Sequence, residues 1–490
     1  PDDPYRVANQ LPYAYLPMLD PDISSGASIW KGNLKKYALN QGTLFGRSDK
    51  ALYKDASGDL NEATQDLWQI ANFIKGDKTV NNDIEAGGVY AQLRTPNSGL
   101  GSVRSIYVED FISDGSTTPF LRKLSVNELG IPQGFDALVD TATYTQLNQR
   151  RLLSFLGFDN LLLNNGQIID DNIEVKDLKL NAPSRQIKVL GGVVHSKPTA
   201  VSYSATLDDN GRITNTRDDH VLFGSMDGAL HLVDSDDGKE SYAIIPKHML
   251  KAQPEALVEN SLTNKVGEPY FGVDAPWLVT TDYKYDLDNS KVTVDTDDDK
   301  GMFAYGGLRM GGEAFYGIDI SDKSNPKIKF SITPDSFNGE TSTDFTRLGQ
   351  IWSKPTAAKI RLTKGSDPNK NTAATDVLIF AGGYDMSYED PEYVATSAAP
   401  AKGNAIYMID AKDGKLLWST SAKATDSKGN KNAPTMIHSI TGEITVLDRD
   451  NDGLMDHLYA ADLGGQVFRA DFENARIEQF GFEAVDKFSS

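Results

Sequence analysis

Between Asp448 and Asp456 the chain reads DRDNDGLMD, with carboxylates at Asp448, Asp450, Asp452 and Asp456 and a glycine at Gly453. These fill positions 1, 3, 5 and 9 of D-x-D-x-D-G-x-x-D, with glycine at position 6, which is the opening of an EF-hand-type calcium loop. A hard cation such as Ca²⁺ takes about six to eight oxygens at about 2.3 to 2.6 Å, and alternating short carboxylates can all turn inward around one point. Gly453 permits the sharp bend, and Leu454 at position 7 serves through its backbone carbonyl whatever its side chain. Four carboxylates converging without a cation would repel one another. Position 12 is Tyr459 in place of the bidentate glutamate of a true EF-hand. The flanks GEITVLD and HLYAADLGG read as strands, so the expectation is a nine-residue loop closed by Asp456 at a hairpin tip. The rival reading is a solvated acidic turn.

Other groups capable of chemistry are poorly placed for it. Asp295, Asp297, Asp298 and Asp299 form a second acidic run, but it lacks the glycine and its consecutive aspartates cannot all face one ion, so it reads as a solvated loop. The six histidines show no H-E-x-x-H spacing, and neither G-x-S-x-G nor a P-loop lysine is present. His195 begins a repeated strand whose counterpart carries Trp352, which marks a packing position. With no cysteine, disulfides, thiolate metal sites and cysteine nucleophiles are excluded. The tripeptide KGD at Lys75 to Asp77 follows a helix-like segment and is common by chance.

The elements that must position the acidic loop repeat along the chain. HSKPTAVSY (195–203) and WSKPTAAKI (352–360) share five consecutive residues, and VDAPWLVTT (273–281) resembles both more loosely. Each leads into a strand, then one ending in glycines (HVLFGSMDG, MFAYGGLRMGG, DVLIFAGGYD, HLYAADLGG), then one ending on an aspartate: Asp234, Asp319, Asp410 or Asp471. Those aspartates lie 85, 91 and 61 residues apart, more than the roughly 40 to 50 of a compact propeller blade, so the blades carry insertions or come in pairs. Their expected role is to make turns by side-chain to backbone hydrogen bonding. Earlier, GNLKKYAL (32–39) and AGGVYAQL (86–93) read as strands, whereas EATQDLWQIANFIKG (62–76) and TQLNQRRLLSFLG (145–157) have helical spacing. The polar runs 286–301 and 363–376 read as exposed loops.

The 490 residues are 39% hydrophobic and 24% charged, which is globular usage with ample material for a core. The net charge of −20 argues against direct nucleic-acid binding, which needs a clustered positive face, and no such face is visible in the sequence. No apolar run reaches the length of a membrane span. The chain opens at PDDPYRV without a methionine and reads as a processed part of something larger. Residues 1–26 are expected to be an extension or linker from a preceding domain, and 27–490 a propeller with insertions and the calcium loop at 448–456.

These pieces together resemble the C-terminal propeller domain of the PilY-type proteins, the tip-associated adhesins and biogenesis factors of bacterial type IV pili. The matching residues are WKGNLKKYAL, AGGVYAQL, LGGVVHSKP, GGLRMGGEAFYGIDIS, LGQIWSKPTAAKI and VLDRDNDGLMDHLYAADLGGQVFRADF. The last departs from the family's pattern at Ala461 and Phe468, away from the calcium ligands. The resemblance implies an all-β fold, a modified seven-bladed quinoprotein-like β-propeller with helical and loop insertions. It also implies Ca²⁺ held by the side chains of Asp448, Asp450, Asp452 and Asp456 and the carbonyl of Leu454. It further implies a non-enzymatic protein of the cell surface, pilus tip or outer membrane that works with the minor pilins of the tip complex. Calcium there would control pilus extension against retraction, and so twitching, adhesion and DNA uptake. Host or surface receptors would be met by the family's N-terminal half, which lies outside this sequence. Two rivals stand beside this. AIYMIDAKDGKLLW resembles the tryptophan-docking repeat of quinoprotein dehydrogenases, but one blade alone ends in such a residue, Trp418, which favours blade packing. The other rival is an envelope propeller binding carbohydrate or protein, with structural calcium.

Overall fold

The computed structural model describes the chain except residues 22–26, 113–117, 159–171, 259–268, 363–372, 423, 425–428, 475–487 and 490. Strands dominate and the helices are short. The chain forms two compact units: Pro1–Asp274 with Val279–Phe303 and Asp319–Lys327, and Ala275–Leu278 with Ala304–Ile318 and Ile328–Ser490.

In the first unit, β1 (Tyr13–Asp20) pairs antiparallel with β2 (Lys31–Asn40) from Tyr13↔Ala38 to Asp20↔Lys31. With Asp2–Asp3 and Arg6–Gln10 also paired antiparallel, most of the described part of the stretch read as a linker is sheet. The spacing over 86–93 suggested a strand, but Gly88–Gln92 is helix α1. Gly87 and Gly88 both have φ of 58°, a conformation open to residues without a Cβ. The Asp66 carboxylate accepts the Gly88 N–H at 2.9 Å and the Asn33 side chain accepts the Tyr90 N–H at 3.0 Å. Helix-end donors are thus satisfied by side chains from elsewhere, which local spacing cannot reveal. Conversely, 62–76 contains no helix. The Gln65 carbonyl accepts from Arg47, and the Leu67 N–H donates to Lys36 of β2, so the backbone is committed to neighbours outside the segment. Trp68 is buried while Ile70 is exposed, so the apolar residues do not share one face.

Further along lie β3 (Ile106–Phe111), β4 (Pro119–Val126) and helix α2 (Gln146–Phe155). Helix α2 forms where its spacing placed it, with Thr145 as N-cap accepting from the Asn148 N–H. Strands β5 (Thr199–Leu207), β6 (Ile213–Gly224), β7 (Leu230–Asp234) and β8 (Glu240–Ile245) pair in chain order, all antiparallel. Beyond β8 the sheet continues into β3 in parallel. At its other side β5 meets the hairpin of β9 (Tyr283–Asp286) and β10 (Lys291–Val294), so much of 286–301 is strand and turn in place of a featureless loop. The core here joins Leu34, Trp68, Val89, Val221, Phe223 and Val233.

The second unit repeats the scheme. Strands β11 (Thr356–Ile360), β12 (Thr375–Ala381), β13 (Ala405–Asp410) and β14 (Leu416–Ser421) pair antiparallel in chain order. Strands β15 (Thr445–Leu447), β16 (His457–Ala461) and β17 (Val467–Asp471) do the same. Both SKPTA copies open their strand at the threonine, after the proline that ends the preceding loop. Of the run 363–376, residues 363–372 lie outside those described, and Thr375 and Asp376 open β12. Trp418 is 1% exposed in a core with Ile379, Met408, Leu458 and Phe468, and it meets Phe472 edge to face at 5.4 Å. Burying side chains of this size supplies roughly 1.5 to 3 kcal/mol each.

The strand-ending aspartates behave as turn-makers at three of the four positions. Asp234, Asp319 and Asp410 each accept the N–H two residues on, from Asp236, Ser321 and Lys412. Asp471 instead accepts from the His457 ring and from Arg469 Nε, both at 2.6 Å.

Candidate metal centre

The acidic loop joins β15 to β16, whose register runs Thr445↔Tyr459, Val446↔Leu458 and Leu447↔His457. It is a hairpin tip, as its flanks suggested. Its far end is anchored: the Asp456 N–H donates to the Leu447 carbonyl at 2.9 Å, the Asp456 carbonyl accepts from Phe472 at 2.8 Å, and the Met455 N–H donates to Lys359 of the preceding sheet. Asp456 is consequently buried, while Asp450, Asp452 and Gly453 face solvent.

Within the loop the carboxylates of Asp448, Asp450 and Asp456 converge, with one oxygen from each lying within 4.8 Å of the others. Short backbone bonds hold them. The Arg449 N–H donates to Asp456 Oδ2 at 2.8 Å, and the Gly453 N–H to Asp448 Oδ2 at 2.9 Å. Gly453 has φ of 87° with open space around it, so the glycine is needed for backbone angle and not for room. Asp448 Oδ1 is buried and without a hydrogen-bond partner among the described residues. A buried carboxylate oxygen left unmatched is costly, and a cation at the convergence point would satisfy it. The residues fit a hard divalent ion. Asp452 stands outside the converging trio, where its Oδ1 accepts the Leu454 N–H at 2.8 Å. Leu454 is buried, so its side chain packs while its backbone remains at loop position 7.

The second acidic run is neutralised otherwise. Asp295 pairs with Lys300 and Asp297 with Lys284, both at 2.8 Å, which holds the Asp295 carboxyl below its usual range through that lysine bond. His195 is not a packing residue: its half-exposed ring lies 2.8 Å from the buried carboxylate of Asp274. Sequence reading also missed an ionic cluster in the first unit. Ser225 Oγ is 2.6 Å from His231 Nε2, and His231 Nδ1 is 2.8 Å from Glu240, which Arg104 holds through Nε and Nη2, each at 2.7 Å. The order resembles a catalytic triad, but Ser225 and His231 are shut away from solvent, so no substrate reaches the hydroxyl. Its signal is faint: a serine in the turn after β6 and a histidine and a glutamate on the paired strands β7 and β8.

The model of the PilY1 beta-propeller domain matches residues 190–484, more than half of the chain and including the whole acidic loop. The chain belongs to this family. Among its relatives, a type IV pilus biogenesis factor PilY1 homolog of Xylella fastidiosa is 27% identical over 285 residues, which is 58% of this chain and 16% of that protein. Type IV pilus biogenesis factor PilY1 of Pseudomonas aeruginosa is 24% identical over 306 residues, 59% of this chain and 21% of that protein. The chain thus spans about a fifth or less of the length of these relatives. The crystal structure of the P. aeruginosa PilY1 C-terminal domain aligns with a TM-score of 0.31 and 21% identity, covering 52% of this chain and 39% of that one. In this chain Trp418 packs as a core residue. No helix among the described residues is long and apolar enough to cross a membrane.

Proposed function

We propose that this chain is a non-enzymatic, calcium-binding propeller of a type IV pilus biogenesis protein at the bacterial cell surface. Asp448, Asp450 and Asp456 supply the convergent carboxylates, and Asp452 and the Leu454 carbonyl complete the oxygen set. The observation that carries the reading is the convergence of those three carboxylates, together with the buried, unpartnered Oδ1 of Asp448. Calcium would fix the β15–β16 hairpin tip and through it the surface offered to minor pilins, so that pilus extension prevails over retraction when the loop is loaded. The pilus context rests on the family and on relatives named as pilus biogenesis factors.

Calorimetric titration of the chain with CaCl₂, beside Asp456→Ala, tests the site. One saturable event lost in the variant is the expected result, and a flat wild-type titration removes the site. Pilus counts in cells carrying Asp456→Ala in the full-length protein then test the control function. Unchanged counts with calcium binding abolished would leave a structural ion and refute control.

A further inference from the structure

We infer that the first unit carries a pocket for an acidic sugar, of the hexuronate class. Sequence reading found no clustered positive face, yet folding gathers Arg94, Lys123, Lys239 and Lys323 around one cavity of about 470 Å³. That size lies in the range of small-ligand sites. In a chain of net charge −20, four cations drawn from four distant segments to one cavity call for a reason. Two of them are already matched: Lys239 pairs with Asp237 and Lys323 with Asp218, each at 2.6 Å. The other two, Arg94 and Lys123, are exposed and make no side-chain hydrogen bond or ion pair with any described residue. Glu240, also in the lining, is consumed by Arg104 and His231.

The cavity therefore offers two cations outside those ion pairs, Arg94 and Lys123, beside Asp234, the Lys239-paired Asp237 (whose carboxyl Arg94 also helps to lower), His220 and the hydroxyls of Ser105, Ser241 and Ser324. An anionic group is drawn to Arg94 and Lys123, and a guanidinium takes a carboxylate through two parallel bonds. The carboxylates and serines accept hydrogen bonds from hydroxyls, which a hexuronate ring carries on the carbons other than the one bearing its carboxylate. A polyphosphate or nucleic-acid backbone would bring several negative charges against Asp234 and Asp237, where a hexuronate brings one that Arg94 and Lys123 can take. One negative charge among several hydroxyls is the matching ligand, and that is a hexuronic acid.

The test is calorimetric titration of the whole chain with sodium glucuronate, in chelator so that the acidic loop holds no calcium, with glucose and inorganic phosphate as comparison probes. Saturable glucuronate binding is expected, weakened at least tenfold in Arg94→Gln/Lys123→Gln, with glucose silent and phosphate weaker. Both substitutions are at exposed positions, and an unchanged melting temperature confirms that the variant folds. Absence of glucuronate binding overturns the proposal, as does binding that survives the double substitution. Phosphate binding as tight as glucuronate overturns it too, since that would be a bare anion site.

Discussion

At the scale of single residues, the acidic loop divides its aspartates into two jobs. Asp448, Asp450 and Asp456 converge, whereas Asp452 spends an oxygen on the Leu454 N–H. Substituting Asp448 by alanine should therefore weaken calcium affinity more than substituting Asp452, and calcium titrations of both variants check the order. Equal losses would mean that Asp452 binds the ion as strongly as the converging trio. Gly453 gives a separate test. Because nothing crowds its missing Cβ, Gly453→Ala should cost only the left-handed strain, about 1 kcal/mol. That would appear as a small fall in urea midpoint together with weaker calcium binding. Had the glycine been kept for close packing, the loss would be several times larger.

At the scale of elements, the strands and their order were legible because they rest on local signals: alternation, the proline before both SKPTA strands, and the aspartate that turns the chain after three of the four third strands. The convergence within the acidic loop was legible for the same reason, since Asp448, Asp450 and Asp456 fall within nine consecutive residues. What escaped was set by distant partners. Gly88–Gln92, within the run read as a strand, is helix with Asp66 and Asn33 receiving its first N–H groups, and 62–76 is not, with Leu67 bonded to β2. His195 was misread since its partner, Asp274, lies far along the sequence. Trp418 illustrates how a residue can be read correctly from an incomplete repeat: lacking fellow tryptophans, it fills the core beside Phe472. Trp418→Ala should cost about 3 to 5 kcal/mol, seen as a large drop in urea midpoint. A loss under about 1 kcal/mol would show that the site is loosely packed.

At the scale of the whole molecule, the buried ionic cluster sets a pH window for stability. Burial opposes charge on His231, but Asp227 and Glu240 outweigh it and hold the imidazole above its ordinary range. Burial likewise pushes Glu240 up, yet Arg104 and His231 bring it down to about 2, and Asp227 is lowered chiefly by His231. A histidine raised in the folded state contributes fully below its unfolded value, about 6.5, and loses that contribution as pH rises through the folded one. Lowered carboxylates contribute fully above about 4.5 and lose it as pH falls. The two conditions overlap between about pH 4.5 and 6.5, where the cluster should stabilise the chain most. Net charge adds a second slope, since an acidic protein sheds self-repulsion as pH falls toward neutrality of charge. Comparing unfolding midpoints of the wild type with His231→Gln separates the two, because the charge effect is common to both. The expected result is a variant clearly less stable near pH 5.5, with the difference shrinking as pH rises past the histidine's folded value. A difference independent of pH would assign the loss to packing and leave the cluster without a role in the pH profile.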